Sequence, residues 1–529
     1  MIDTLIKNGI VLDGTGDKAV RCDIALKGDK IIEVGKINSE AQKIIDAKNL
    51  FVSPGFIDIH THSDFFYFLD PKADSKISQG VTFEFVGNCG VSFCGPVLKG
   101  PSSQFETRLG WFKTDWHADW NDFPGYLNAM EKTEKSLNVA TQIGHNTVRQ
   151  EVLGMDTRSP DPDELKKMQF IIEEALDAGA MGFSTGLSMP PGIYSHNSEV
   201  IQLVEIVASK NKLYSSHIRD EYTESCGLFV AVQELIEAGR RTGARLQYSH
   251  IKAGGTFRGR SKELAKFIED AREEGIDIAA DQYPYDAASG PMSGNVLPRW
   301  VSEGGREKSL KRIKDANTRN EIIRGLDKSI NRIGGAERIM IAQYPMNSKY
   351  EGKTIVEISK EDNITPAEVL LNIYKNFDST LILRGMSDRD VKYLASIPWV
   401  AVGSDGDSIS SVPPLNEGNP HPRSFGTFPR FFNEMVKKEG TVTVEDAVRK
   451  MTGLPASRLE LKKRGLLKKD YFADISIFSL DQIKDKATFK KPYQYSSGIE
   501  HVIVNGVFVV MNGKRTGKTP GRLIRSMFD

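Results

Sequence analysis

The chain has 529 residues, 70 of them Lys or Arg and 70 Asp or Glu, so its formal net charge is zero. With neither a basic stripe nor an acidic tail, the composition argues against a nucleic-acid partner and against a disordered, charge-swollen chain. Four cysteines are too few for a disulfide framework and fit a reducing compartment. The start, Met1-Ile-Asp-Thr-Leu-Ile-Lys7, lacks the basic-then-apolar pattern of a secretory leader. The apolar run over residues 502–511 is broken by Asn505 and Gly506 and is too short to span a bilayer. A soluble cytoplasmic protein with no membrane partner is expected; the oligomeric state is left open.

Residues 1–50 read as short strands broken by turns. Leu5-Ile-Lys-Asn-Gly-Ile-Val-Leu12 predicts strand, turn, strand, with Asn8-Gly9 as the hairpin signal, and a second hairpin is expected around Gly28-Asp29. The same texture returns in Ala473-Asp-Ile-Ser-Ile-Phe478 and in residues 501–510. Neither end has strands enough to bury two faces alone, so residues 1–50 and 471–529 are expected to meet in one small β-sandwich domain. Between them, over residues 51–470, strands alternate with helices. The predicted strands are 51–62, 81–90, 139–144, 179–186, 213–217, 245–250, 276–281 and 399–405. Residues 161–178 carry Asp/Pro helix-start signals and stop at Gly179; 198–212, 228–242 and 261–274 behave alike. Eight alternations favour an α/β fold, a TIM-like (β/α)8 barrel. A doubly wound open sheet is the rival, but no Gly-x-Gly-x-x-Gly follows a strand. Two stretches interrupt the pattern. Residues 91–137, with Trp111, Trp116 and Trp120, are expected above the strand ends, and residues from about 287 to 338 are expected to form an inserted lid segment.

An apolar run, residues 51–59, leads into Gly55-Phe-Ile-Asp-Ile-His-Thr-His-Ser-Asp64. Residues two apart on a strand share a side, so His60 and His62 project together at the strand's C-terminal end. With Asp58 and Asp64 nearby they make half of a divalent-metal site. Alone, a His-x-His pair on a strand is more often ordinary, and the missing ligands would have to come from other strands. Barrel chemistry sits at the C-terminal strand ends. There the polar candidates collect: Cys89 after strand two, His217 at strand five, His250 at strand six, Asp405 at strand eight. Singly these are a packed cysteine, hydrogen-bonded histidines and a capping aspartate before Gly406. Together with His60 and His62 they offer two adjoining sites with N, S and O ligands, a set that suits zinc.

Longer segments carry a resemblance. Pro54-Gly-Phe-Ile-Asp-Ile-His-Thr-His-Ser-Asp64, Val86-Gly-Asn-Cys-Gly90, Gly144-His-Asn-Thr-Val-Arg149, Pro190-Pro-Gly-Ile-Tyr194 and Ser216-His-Ile-Arg-Asp220 are five of them. Tyr248-Ser-His-Ile-Lys252, Asp281-Gln-Tyr-Pro-Tyr285, Gly403-Ser-Asp-Gly406 and Pro420-His-Pro-Arg-Ser-Phe-Gly-Thr-Phe428 are the rest. Over nearly its whole length the chain resembles the N-acyl-D-amino-acid deacylases (D-aminoacylases) of the metal-dependent amidohydrolase superfamily. The His-x-His pair is only superfamily-level; the Gly-Asn-Cys-Gly and His-Pro-Arg segments are much more specific. Many amidohydrolases bridge two metals with a carboxylated lysine at the end of strand four. That strand here, Gly182-Phe-Ser-Thr-Gly-Leu-Ser188, has none. The resemblance implies that Cys89 bridges instead, with a tight zinc on Cys89, His217 and His250 and a weaker second position at His60, His62 and Asp405.

Asp405 is the natural general base, taking a proton from water and later giving it to the departing amine. The resemblance also implies that Tyr194, Lys252, Tyr283, Ser289 and Arg423 contact the substrate or its free carboxylate. Lys252 lies two residues after His250, on the same side of the strand. His145 and Arg149 match a family segment without an argued role, and Cys94 and Cys226 read as structural. The implied reaction is hydrolysis of a small-molecule N-acyl-D-amino acid, with its side chain and acyl group left open. The rivals are a D-residue-specific dipeptidase, a cyclic-amide hydrolase of hydantoinase or dihydroorotase type and a non-catalytic scaffold. In the second, Lys252 would have to carry the carboxylate; the third should have lost ligands.

Overall fold

Gly55 divides the apolar run that leads into the histidines. In the computed structural model of the chain, which describes residues 1–93, 109, 110, 112, 114–222 and 225–525, Phe51–Pro54 and Phe56–Asp58 are separate strands in separate sheets. The backbone changes partner there, Gly55 N donating to Asp474 O and Phe56 N to Gly80 O, and only glycine fits the crossing, since a Cβ on residue 55 would lie 2.1 Å from Thr82 Oγ1. The single strand expected over 51–62 is therefore two, and the chain passes from one unit to the next at that glycine.

From Phe56 onward the chain builds a ring of eight parallel strands. Phe56–Asp58 pairs Val81–Val86, which pairs Asn138–Thr141. Strand three changes partner at Gln142, and its continuation, Ile143–Gly144, pairs Gly182–Gly186. Then follow Leu213–His217, Arg245–Tyr248, Ile278–Gln282 and Val400–Val402, each parallel to the one before. The ring closes just past the ends of strands one and eight, where Asp405 N donates to His60 O (2.8 Å) and His62 N to Gly406 O (3.0 Å). The closing bonds thus lie among the expected ligands. The helices between strands start and stop as their caps dictate. Asp161 and Glu164 form a reciprocal capping box on Pro162–Ala178, and Gly179 ends it at φ 120°. Leu228–Thr242 and Ser261–Glu273 follow on the outside.

The two chain ends share one sheet. Strand Ile2–Val11 is paired along one side by Val20–Lys27. Its other side is paired first by Ala41–Asp46 and then by Phe51–Pro54, so the sheet forks there. Ile475–Phe478 continues the second branch, followed by Ile499–Val504, Val507–Met511 and Lys514–Arg515. Ile6, Ile24, Ile31, Ile45, Val52, Ile475, Ile477 and Ile503 fill a common core. The expected hairpin at Asn8-Gly9 is instead a bulge within one strand: the register slips between Ile6 and Gly9 and Asn8 takes φ 61°. Asn-Gly satisfies a bulge's positive φ as readily as a turn's. Past this sheet the tail returns to the barrel. Val139 N donates to Arg522 O, Ile524 N donates to Val139 O, and Ile524 packs with Ile57, Phe83, Met181 and Leu213 near the strands' N-terminal ends.

Between strands seven and eight sits an inserted unit with its own core, from Met292 to Leu383. A three-stranded antiparallel sheet, Ala288–Pro291, Thr380–Leu383, Ile339–Gln343, backs helices that include Ala316–Ile333 and Pro366–Asn376. The unit runs well past the expected limit near 338, because its middle strand, Thr380–Leu383, arrives last and pairs both others. In the 91–137 stretch, Trp116 and Trp120 pack on Phe68, each with ring centroids 5.0 Å apart. Trp111 and Cys94 lie outside the described residues. Among the described residues no helix is long and apolar enough to cross a membrane.

Candidate metal centre

Three of the six candidate ligands sit in a backbone conformation that side chains other than glycine's rarely adopt. Cys89, His250 and Asp405 have φ of 53°, 39° and 52°. A left-handed residue costs of order 1–3 kcal/mol and persists where its surroundings hold it. Here it reverses the chain as each strand leaves the ring. Gly90, next to Cys89, leaves no room for a side chain: a Cβ there would lie 2.3 Å from Asn146 Oδ1 and 2.5 Å from Gly186 N.

The donors converge. Cys89 Sγ lies 3.4 Å from His60 Nε2 and 3.3 Å from His250 Nε2. His60 Nε2 lies 3.5 Å from Asp405 Oδ1, and His62 Nε2 lies 2.9 Å from the same oxygen. One donor atom each from His60, Cys89, His250 and Asp405 fall within 4.8 Å of one another, all buried. His217 joins from the side. Its ring stands edge-on to His250 with centroids 4.4 Å apart, and its Nε2 meets Ser188 Oγ at 2.7 Å. With Glu221 and His250 it forms a second, overlapping donor group. The tightest foursome is therefore not the expected trio of Cys89, His217 and His250, although that trio spans the two groups.

Charge follows from this crowding. Burial pushes the Cys89 thiol up, but the charges of His250 and His60 and hydrogen bonds from the neighbouring histidines hold it well below the usual thiol range. Burial likewise opposes ionisation of Asp405, and Arg423, His250, His62 and His60 hold its carboxyl well below the usual range. Burial works against a charged His62, yet Asp405 and Cys89 push it up to about 9. A thiolate, a carboxylate and imidazole lone pairs facing one another need either protons or a cation between them. His217 Nδ1 is buried with no hydrogen-bond partner. This donor set of S, N and O fits a zinc ion.

Two residues without a role in the sequence reading hold the ligands. Asp281 Oδ1 meets His60 Nδ1 at 2.9 Å and accepts from His250 N at 2.8 Å, while Gln247 Nε2 donates to Oδ2 at 2.9 Å. Fixing one ring nitrogen leaves the other aimed at the centre. Glu221, buried, lies 3.2 Å from His250 Nδ1 and 3.5 Å from His217 Nε2, and each of its oxygens accepts from Lys252 Nζ at 2.9 Å. The signals were faint: Asp281 ends strand seven, and Glu221 follows His217 by four residues. Asp58, expected near the metal, is instead taken by Lys76 Nζ (2.8 Å) and Ser404 N (2.8 Å). His145 and Arg149 both bind buried Glu199, at 2.9 and 2.8 Å, and Arg149 reaches the carbonyls of Pro191 and Arg158. They brace the loop after strand four.

The expected substrate contacts meet in part. The Tyr283 ring lies between two cations, 5.0 Å from Arg423 Cζ and 5.8 Å from Lys252 Nζ, and its buried hydroxyl has no hydrogen-bond partner. Arg423 Nη1 lies 2.7 Å from Asp405 Oδ2, and its Nη2 donates to Ser289 O at 3.4 Å. Ser289 thus meets Arg423 through its backbone. The buried Tyr194 hydroxyl has no hydrogen-bond partner, and burial and the charge of Glu303, on the inserted unit, push it up.

The profile of the amidohydrolase family matches residues 43–202 and 378–510. The chain is 31% identical to the N-acyl-D-glutamate deacylase of Alcaligenes xylosoxydans xylosoxydans, over 99% of this chain and 96% of that one. The chain belongs to the amidohydrolase family, among its D-aminoacylases. A crystal structure of D-aminoacylase superposes on this amidohydrolase with a TM-score of 0.84 at 30% identity, covering 99% of this chain and 100% of that one. An N-acyl-D-glutamate deacylase from Bordetella bronchiseptica, solved with zinc and a phosphonate mimic of the tetrahedral intermediate, superposes with a TM-score of 0.82 at 29% identity. It covers 99% of this chain and 100% of that one.

Proposed function

We propose that this amidohydrolase is a zinc-dependent deacylase that splits the amide bond of small N-acyl-D-amino acids, releasing a carboxylate and the free D-amino acid. One observation carries the reading: Asp405 stands between the donor centre and a cationic end, 2.9 Å from His62 and 2.7 Å from Arg423. Cys89, His217 and His250 would hold the tight zinc, with His60, His62 and Asp405 facing a second, weaker position. When bound, zinc polarises the amide carbonyl and brings the pKa of water down to about 7. Arg423, Tyr283 and Lys252 orient the substrate by its α-carboxylate. That carboxylate competes with Asp405 for the guanidinium and so frees Asp405 Oδ2. Asp405 then takes the proton of the attacking water and delivers it to the amide nitrogen, which leaves as a neutral amine. The D configuration rests on the relatives' substrates. A thiolate ligand is also at home in a reducing cytoplasm.

The cyclic-amide reading asks for a carboxylated lysine. Lys252 Nζ lies 2.9 Å from both oxygens of buried Glu221, a neighbour that would repel an anionic carboxylated side chain. A panel of N-acetyl-D- and N-acetyl-L-amino acids, scored for released amine beside zinc content, tests the proposal. Release from the D series with zinc bound is expected. Equal turnover of the L series, or faster opening of hydantoins, would overturn it.

A further inference from the structure

Beneath the donor centre lies a buried charged network that the reaction does not use. Lys76, Asp58, Glu84 and Ser404 are all fully buried. Lys76 Nζ donates to Asp58 Oδ2 at 2.8 Å and to Ser404 Oγ at 2.7 Å, and lies 3.2 Å from Glu84 Oε1. Three buried charges are strongly destabilising unless each is paired. Replacing the set by apolar groups would often be no less stable, so its presence asks for a reason.

We propose that Ser404, held by Lys76, is a positioning residue for Asp405. This rests on Asp405 being the proton carrier of the proposed function. The bonds surround that residue on both sides. Before it, Ser404 N donates to Asp58 Oδ1 at 2.8 Å. After it, Gly406 N donates to Ser404 Oγ at 3.0 Å, on the same oxygen that Lys76 holds. Asp405 N is taken by His60 O and Gly406 O by His62 N. Three of these bonds tie strand eight's exit to strand one and the residues that follow it, one closes the turn on itself, and the left-handed Asp405 is the residue they enclose. Asp58 ends its strand two positions before His60, so its bond to Ser404 N joins the two ligand-bearing ends. A Gly or Ala spacer would let the turn relax, and the carboxylate would swing off the line between His62 and Arg423.

The test is Ser404→Ala, which deletes the oxygen shared by Lys76 and Gly406, against two controls. Ser404→Thr keeps the hydroxyl. Ser408→Ala removes a bond of 2.6 Å from the same network, to Glu84 Oε2, without touching the residues beside Asp405. Loss of a residue that orients a metal ligand typically costs 10- to 100-fold. Ser404→Ala is expected to lower kcat on N-acetyl-D-amino acids by about that factor, with KM within about threefold and zinc content unchanged. Ser404→Thr should restore most of kcat, and Ser408→Ala should lower thermal stability while leaving kcat per zinc near wild type. A merely structural role moves stability in both alanine variants and kcat in neither; that result would overturn the proposal. If Ser404→Ala yields no folded protein, Ser404→Cys, which keeps the size but offers Lys76 and Gly406 only a weak acceptor, is scored alike. A wild type that releases no amine defeats the proposed function and this inference with it. An active wild type beside an unimpaired Ser404→Ala defeats the inference alone.

Discussion

The two ends of the barrel are made from the same eight strands and share almost nothing. At the C-terminal end, Cys89, His250 and Asp405 leave their strands through left-handed turns and crowd charged atoms together. At the N-terminal end, Ile57, Phe83, Met181, Leu213 and Ile524 close the ring with an apolar plug. One end accepts strain and desolvated charge to build a site; the other supplies burial that holds the ring while it does so. Conserving shape at the plug and chemistry at the rim is the division of labour that barrels permit. Substitutions at the two ends should therefore fail in different currencies.

The sharpest contrast comes from Cys89→Ala. It is expected to remove tight zinc and abolish turnover while leaving the fold, since it trades a buried thiolate for a small apolar group. Stoichiometric zinc with normal activity in this variant would erase the distinction between the rim and ordinary packing. Asp405→Asn comes next. It keeps shape but takes no proton, and kcat should fall on the order of 10³-fold, within the range general acid–base catalysis supplies when one group serves two steps. Metal analysis of the purified variant should show the tight zinc retained. Smaller again is Arg423→Ala. Loss of one partner of a buried charge pair costs about 2–5 kcal/mol, so kcat/KM for N-acyl-D-amino acids should drop about 30-fold or more. The matching carboxamides, with no charge for Arg423 to meet, should lose much less; equal losses would make Arg423 a partner of Asp405 and not of the substrate. At the other end, Ile524→Ala should leave kcat unchanged and lower unfolding free energy by about 2–4 kcal/mol through the cavity it opens. Denaturant melts beside active-site assays would show whether the plug touches catalysis after all.

Much of this was legible because strand-end position is a strong signal. A candidate ligand five residues into a loop would carry little weight, whereas Cys89, His217, His250 and Asp405 each close a predicted strand, and those strands, if not their limits, are where the alternation puts them. What escaped was information held by partners distant in sequence. Gly55 reads as a strand residue until Thr82 is known to press on it. Asn8-Gly9 suits a hairpin or a bulge, and only the pairing with Val20–Lys27 decides. Asp281 and Glu221 are ordinary acids until His60, His250 and Lys252 are placed against them. The inserted unit's end was missed because Thr380–Leu383 is a four-residue strand with no periodicity to announce it.

The forked sheet has a consequence in time. Phe51–Pro54 is an early strand whose outer neighbour, Ile475–Phe478, lies roughly 420 residues further along the chain. At about 5–20 residues per second, a ribosome delivers that partner on the order of a minute later. Throughout that interval the first strands present an open edge, with unpaired N–H and C=O groups able to recruit any other extended chain. The nascent polypeptide is thus most vulnerable at the stretch just upstream of His60 and His62, and slow translation would lengthen the hazard. A chaperone that shields extended edges should matter more for the yield of this enzyme than for its finished stability.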